Sequence, residues 1–306
     1  MTKPIYLDYN ATTPVDPLVR QALLPYLEEH FGNPSSTHAY GQKARTAVEQ
    51  ARQQVAQLIG AEADEIVFTG GGTEASNHAI KGAILQKPSL GSWEQDAHII
   101  ISAVEHPATV QPCAFLKTLG CQVTVIPVDG YGQVDPEAIR RALTKRTKLI
   151  SIMHSNNEVG TLNPVSAIAK IGRDNGILVH TDVAQSLGKV RVNVVELGVD
   201  LLTIAGHKLY APKGVGALFV RRGVRLASLI HGADHEHNRR AGTENVPYLV
   251  GLGVAAEIAR QTLSSAEPCL RDLRDRLHQL LQNKLGEHLV LNGHPTQRLP
   301  NTLNVN

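Results

Sequence analysis

Residues Asp200–Gly216 read DLLTIAGHKLYAPKGVG: a short apolar run, then a histidine and a lysine, then a glycine-rich turn. A brief apolar run bounded by turn signals predicts a strand buried on both faces, as in a parallel sheet. Lys208 then lies just past the carboxyl end of that strand, where open α/β sheets bind their ligands. Outward from this segment, other apolar runs have the same size: Ile66–Thr69, His98–Ser102, Gln122–Pro127, Leu149–Met153, Ile177–Asp182 and Ala217–Val220. Helical patterns with readable ends separate several of them. Gly41–Ile59 closes on Gly60, Asp135 can cap Pro136–Leu143, and Pro164–Asp174 runs into Asn175-Gly176. This alternation predicts an α/β fold, with a mainly parallel seven-stranded sheet flanked by helices.

Beyond Pro247 the pattern changes. Leu249–Leu263 and Cys269–Leu285 read as two long amphipathic helices, followed by strand-like pieces at His288–Leu291 and Thr302–Val305. The 306 residues exceed what one compact core usually holds. A large domain over residues 17–260 is therefore expected, with residues 1–16 and 261–306 forming an incomplete smaller α/β domain. Hydrophobic residues make up 42% and charged residues 19%, as in ordinary globular proteins. The formal net charge of +2 gives no argument for nucleic acid or an anionic membrane. No basic-then-apolar leader opens the chain and no run approaches the ~20 apolar residues that cross a bilayer. Cys113, Cys121 and Cys269 are scattered, which suggests neither a disulfide framework nor a zinc site. The expected compartment is the cytoplasm, with no membrane partner.

The polar residues at the strand ends suggest one chemistry. A lysine beyond a buried strand could be a plain surface residue, but it is also what a pyridoxal 5′-phosphate site requires, because its amine condenses with the cofactor's aldehyde as a Schiff base. Asp182 ends the run ILVHTDVAQS (177–186), where it either caps a helix or keeps the cofactor's pyridine nitrogen protonated. Gln185, three residues on, can reach the ring's phenolic oxygen. In IVFTGGGTEASNHAIK (66–81), a glycine turn leads into a helix whose amides can take a phosphate, with the Thr73 hydroxyl beside them. The spacing fits neither the Walker loop nor GxGxxG. Glu105-His106 can place an imidazole on the ring face, and His154-Ser-Asn-Asn-Glu158 offers amides to its polar edge. Each feature taken alone also has a plain structural explanation. What argues for a site is their recurrence at successive strand ends.

These segments resemble the cysteine desulfurases, class-V aminotransferase relatives of the NifS/IscS type and fold-type-I pyridoxal-phosphate enzymes. The resemblance runs from Tyr6-Leu-Asp-Tyr-Asn-Ala-Thr-Thr-Pro14 to Asn306 and includes Phe31-Gly-Asn-Pro-Ser35, Thr73-Glu74, Glu105-His106, Asn156-Asn-Glu158, Asp182 with Gln185, Gly206-His-Lys208 and Arg240-Ala-Gly-Thr-Glu-Asn245. It implies that Lys208 forms the Schiff base and moves protons, while His106 stacks on the ring. Asp182 pairs with the pyridinium, and Gln185 and Asn157 contact the ring's polar edge. The phosphate falls to Gly72, Thr73 and His207, Gly206 also belongs to the cofactor site, Asn33 takes the substrate carboxylate, and Thr243 reaches the phosphate of a neighbouring subunit in a homodimer. The implied reaction takes L-cysteine to L-alanine, leaving a persulfide for an iron–sulfur scaffold or another sulfur acceptor.

Three departures accompany the resemblance. Ala205 stands where the family usually has a serine on the phosphate, removing one hydrogen bond of about 1 kcal/mol. The segment His231-Gly-Ala-Asp-His-Glu-His-Asn238 replaces glycines of a GGG-x-E-x-G pattern, and reads as a polar, partly mobile loop in preference to a metal site. The family's nucleophilic cysteine and substrate-binding arginine lie downstream of Asn306. The chain is therefore read as C-terminally truncated, keeping the cofactor pocket and lacking the nucleophile. The three cysteines present are expected to be buried and inert. Two alternatives remain: a related lyase or transaminase acting on selenocysteine or cysteine sulfinate, and a non-catalytic paralogue.

Overall fold

The computed structural model describes residues 4–86 and 96–306. Along the chain, α1 (Pro17–Glu28) and α2 (Ala39–Ile59) precede β1 (Ile66–Thr69), α3 (Gly72–Leu85), β2 (His98–Ser102), α4 (Pro107–Thr118) and β3 (Gln122–Ile126). There follow α5 (Pro136–Ala142), β4 (Thr147–Ser151), α6 (Val165–Asp174), β5 (Leu178–Asp182), α7 (Val194–Leu197), β6 (Leu201–Ala205) and β7 (Gly216–Val220). The short α8 (His235–Asn238) and the long α9 (Val246–Leu285) complete the order. Helix ends follow local chemistry. Asp16 accepts the Leu18 N–H at 2.8 Å with Pro17 opening α1, and α2 stops on Gly60 at φ 68°, where a side chain would be strained.

The strands form one seven-stranded sheet in the order β1-β7-β6-β5-β4-β2-β3. β7 runs antiparallel to both neighbours, and the other six strands share one direction. Every residue of β1, β2, β6 and β7 is buried, which is why these runs carry no polar alternation. One face of the sheet packs on α3 and α4 through Ala75, Ala79, Ile80, Cys113 and Leu116. The other packs on α2, α5, α6 and the first half of α9. With helices on both faces, the carboxyl ends of the parallel strands are left to build a site.

Two expectations need correction. The pair of helices over 249–263 and 269–285 is a single helix, α9, which continues through Pro268. Proline removes one N–H from the ladder, yet the Arg271–Glu267 ion pair spans the position. The domain boundary placed at 260/261 thus lies inside a continuous helix. Secondly, β4 begins and ends two residues earlier than expected, although Ile152 N–H and His154 N–H still donate to β5 carbonyls at 3.1 and 2.9 Å. The strand-like pieces near the end pair with each other: Leu291 bridges Val305, and Val290 and Asn306 exchange hydrogen bonds of 3.2 and 3.0 Å.

Candidate active site

Five strands of common direction end at one cavity of about 570 Å³. β1 leads to Gly70–Glu74, β2 to His106, β4 to Met153, Ser155 and Asn157, β5 to Asp182, Ala184 and Gln185, and β6 to Ala205, His207 and Lys208. Of the residues singled out in the sequence, Gly72, Thr73, His106, Asn157, Asp182, Gln185, Ala205, His207 and Lys208 border this space. Gly206 does not. A Cβ there would lie 2.8 Å from the Val215 carbonyl oxygen, so this glycine permits the close approach of the turn to the chain entering β7. Asn33 and Thr243 are exposed and lie outside the cavity.

The electrostatics are those of a partly dry, mixed-charge pocket. Asp182 is buried, and burial pushes its carboxyl up, against the Ala184 N–H that donates to it at 2.8 Å and the charges of His106 and Lys208. Burial also lowers the Lys208 amine, opposed by Asp182, Asp8 and Glu158. A lowered amine pKa raises the neutral, nucleophilic fraction. His207 is lowered by burial and then by Lys208 and Lys213, and its Nδ1 meets the Thr12 hydroxyl at 3.2 Å. His106 receives the Ala108 N–H on Nδ1 at 3.1 Å, which caps α4 and puts the proton of a neutral ring on Nε2.

Two features await a ligand. α3 starts at Gly71 with φ 143° and no side chain capping it, so its first amides face the cavity as an anion site. The Gln185 amide donates through Nε2 to the Asn10 carbonyl at 2.9 Å, while its buried Oε1 has no partner. Such an orphaned acceptor fits a hydroxyl on the bound group. Together with an amine and a buried carboxylate, this donor set fits pyridoxal 5′-phosphate.

Several contributors carry no role assigned from the sequence. Lys213 borders the cavity from the quoted turn, and Ala11 and Thr12 from the N-terminal segment. Asn10 joins distant parts of the chain. Its carbonyl accepts from Gln185 and from Lys208 Nζ, and its side chain meets Asn157 O at 3.1 Å, Thr302 Oγ1 at 3.0 Å and Asn301 Nδ2 at 3.0 Å. Lys189 is buried, its amine lowered to about 8 by burial and by Lys208, and it donates to the Lys208 carbonyl at 3.3 Å. Asn10, Ala11 and Thr12 belong to the quoted segment Tyr6–Pro14 and Lys213 to the quoted turn, whereas nothing in the sequence marks Lys189.

The cysteines and the histidine-rich loop sit elsewhere. Cys113 and Cys121 are buried, and burial pushes the Cys113 thiol up to about 12. Cys269 is exposed on α9, contrary to the expectation of burial, and none of the three borders the cavity. In the loop, Glu236 is buried against Arg52, with two hydrogen bonds of 2.6 and 2.9 Å, and also accepts the Phe68 N–H at 2.8 Å. Among the described residues, no three His, Cys, Asp or Glu side chains group to hold a metal, and no helix is long and apolar enough to cross a membrane.

Comparison with known proteins points the same way. The sequence profile of aminotransferase class-V matches residues 5–306. Cysteine desulfurase IscS of Dictyoglomus turgidum is 48% identical over 304 residues, covering 99% of this chain and 76% of that protein. The solved structure of a NifS-like protein superposes with TM-score 0.92 at 37% identity, covering 99% of this chain and 81% of its own. A structure described as SspA in complex with cysteine gives TM-score 0.87 at 35% identity, covering 99% and 83%.

Proposed function

The chain belongs to the cysteine desulfurases of the class-V aminotransferase family, and from that membership we propose that it is a pyridoxal-5′-phosphate enzyme that takes sulfur from L-cysteine, leaving L-alanine and a persulfide on an acceptor thiol. The observation that carries this reading is the convergence of Lys208, Asp182 and the uncapped start of α3 on one cavity. The bound cofactor would supply an electron-withdrawing ring that weakens bonds at the amino acid's α-carbon. Everything else would be done by the chain's own side chains and backbone amides.

Lys208 would hold the cofactor through its amine and later carry a proton to and from the substrate's α-carbon. Asp182, whose carboxyl burial pushes up, would be favoured in its charged form beside a cationic ring nitrogen and keep that nitrogen protonated. The amides at Gly72 and Thr73, the Thr73 hydroxyl and His207 would share the phosphate. His106 would lie on the ring, with Gln185 and Asn157 along its polar edge. Asn33 and Thr243 would act from outside this cavity, Asn33 on the substrate carboxylate and Thr243 on the phosphate of the partner subunit in a homodimer. We assign residues 17–260 to the cofactor-binding domain and 1–16 with 261–306 to a smaller one. The sulfur acceptor would be an iron–sulfur scaffold or another thiol-bearing protein in the reducing cytoplasm.

None of the three cysteines borders the cavity, which supports a second reading: a lyase acting on selenocysteine or cysteine sulfinate, neither of which needs an enzyme thiol. One set of measurements tests both readings. Purified protein with added pyridoxal 5′-phosphate develops a visible absorption band that Lys208→Ala lacks, and it releases alanine from L-cysteine when dithiothreitol is supplied as acceptor. Faster release from selenocysteine or cysteine sulfinate favours the second reading. A parent protein that shows no band at saturating cofactor overturns both.

A further inference from the structure

We propose that Thr13 is a positioning residue, whose hydroxyl holds the turn carrying Lys208 in the conformation that presents the amine. The proposal rests on the reading of Lys208 given above. Lys208 ends a short helical turn, Gly206–Lys208, directly after β6. Tyr210 follows with φ 61°, a left-handed conformation that Cβ makes unfavourable and that persists only where surroundings enforce it. Released from those surroundings, residue 210 would return to negative φ and turn the backbone of its neighbours with it.

Thr13 supplies much of the enforcement. It is 3% exposed. Its N–H donates to the His207 carbonyl at 3.0 Å, and its Oγ1 donates to the same oxygen at 2.9 Å. That hydroxyl also accepts the Tyr210 N–H at 3.0 Å. One oxygen therefore bridges the backbone before Lys208 to the backbone after it. Neighbouring contacts reinforce the grip, since the Asp16 N–H donates to the Tyr210 carbonyl at 3.0 Å and Lys189 Nζ to the Lys208 carbonyl at 3.3 Å. The hydroxyl is suited to this because it donates and accepts at once. Valine has nearly the same shape and does neither, leaving the Tyr210 N–H without its acceptor. Serine keeps both functions.

The test is a mutant cycle with two readouts. One is the dissociation constant of pyridoxal 5′-phosphate, followed by its visible band. The other needs no cofactor: the rate at which Lys208 is reductively methylated in the cofactor-free protein, read by mass spectrometry against pH. Thr13→Val is expected to weaken the cofactor about tenfold or more, as losing a buried hydrogen-bond pair implies, and to change the Lys208 modification profile. Thr13→Ser is expected to restore both. In a Tyr210→Gly background, where glycine adopts the left-handed conformation unaided, Thr13→Val is expected to lose most of its effect. Equal losses in both backgrounds, or no loss in either, overturn the proposal. Should Thr13→Val not fold, amide exchange at Tyr210 in the parent decides: slow exchange supports the bridge and fast exchange refutes it. A parent that never binds the cofactor defeats the functional reading, and the claim for Thr13 then stands or falls on the methylation profiles alone.

Discussion

Glu105 accepts the Met153 N–H through both carboxyl oxygens, at 2.9 and 3.1 Å, and so ties the end of β2 to the end of β4 directly behind His106. Its Oε1 also takes the Ser102 hydroxyl at 2.5 Å. Burial raises this carboxyl from 4.5 to about 8, with the Asp182 charge adding to the rise and the hydrogen bonds opposing it. An acid with a raised folded-state pKa holds its proton more tightly in the native state. Its contribution to stability is therefore complete below pH 4.5 and is lost as pH climbs through about 8. Glu105→Gln keeps the shape without the ionisation. The expected outcome is that the parent loses more stability than the variant between pH 5 and pH 8, by on the order of a few kcal/mol. Urea denaturation at intervals across that range measures it, and parallel curves for the two proteins would rule it out.

Asp182→Asn probes the charge that the proposed chemistry needs. An adjacent opposite charge typically moves a pKa by about 1–3 units, so its removal cuts the protonated fraction of a ring nitrogen at neutral pH by up to about 1000-fold. Alanine release should fall by a factor in that range while the visible band still forms. Asp182→Glu, which retains the charge, should fall less. Full activity in the asparagine variant would remove Asp182 from the mechanism.

How far these groups could be found in advance depends on the distance over which the chain brings them together. β1 and β2 have the bounds expected for them, because short apolar runs flanked by turn residues have few other ways to be buried. Lys208, Asp182 and Gln185 follow such strands closely, so finding the strands located them. The grip of Thr13 on residues 207 and 210 spans 194 and 197 residues of sequence and has no periodicity to betray it. Nor does Pro268 advertise that α9 will continue past it, since a proline marks a stop or a bend equally well. Asn33 and Thr243, named from resemblance alone, are surface residues of a single chain whose assigned roles require other parts.

The Arg52–Glu236 pair gives a stability prediction separate from the active site. Both side chains are almost wholly buried, and Glu236, His237 and Asn238 all have positive φ. Removing Glu236 leaves the buried Arg52 with only the half-exposed Glu49, 3.3 Å away, and a broken buried pair typically loses about 3–5 kcal/mol. Glu236→Gln is expected to destabilise by that order in urea unfolding at pH 7. Arg52→Met with Glu236→Leu should recover part of it, short of the Phe68 N–H left without its acceptor. A loss below 1 kcal/mol in the single variant would mean that the pair is solvated, contrary to its burial.

Ala205→Ser should tighten cofactor binding. Ala205 borders the cavity at the end of β6, and a Cβ built on Gly72 would come within 3.0 Å of its side chain. Residue 205 therefore faces the uncapped start of α3, where a phosphate would sit. A hydroxyl there adds one hydrogen bond to that anion, about 1 kcal/mol or roughly fivefold in dissociation constant. In the cofactor-free protein the same hydroxyl sits in a site only 6% exposed, where it lowers stability unless it finds a partner. The variant should consequently melt at or below the parent without cofactor and gain more than the parent on saturation, which thermal unfolding with and without pyridoxal 5′-phosphate can read. An unchanged dissociation constant would place the phosphate away from β6, and with it the assignment of Gly72, Thr73 and His207.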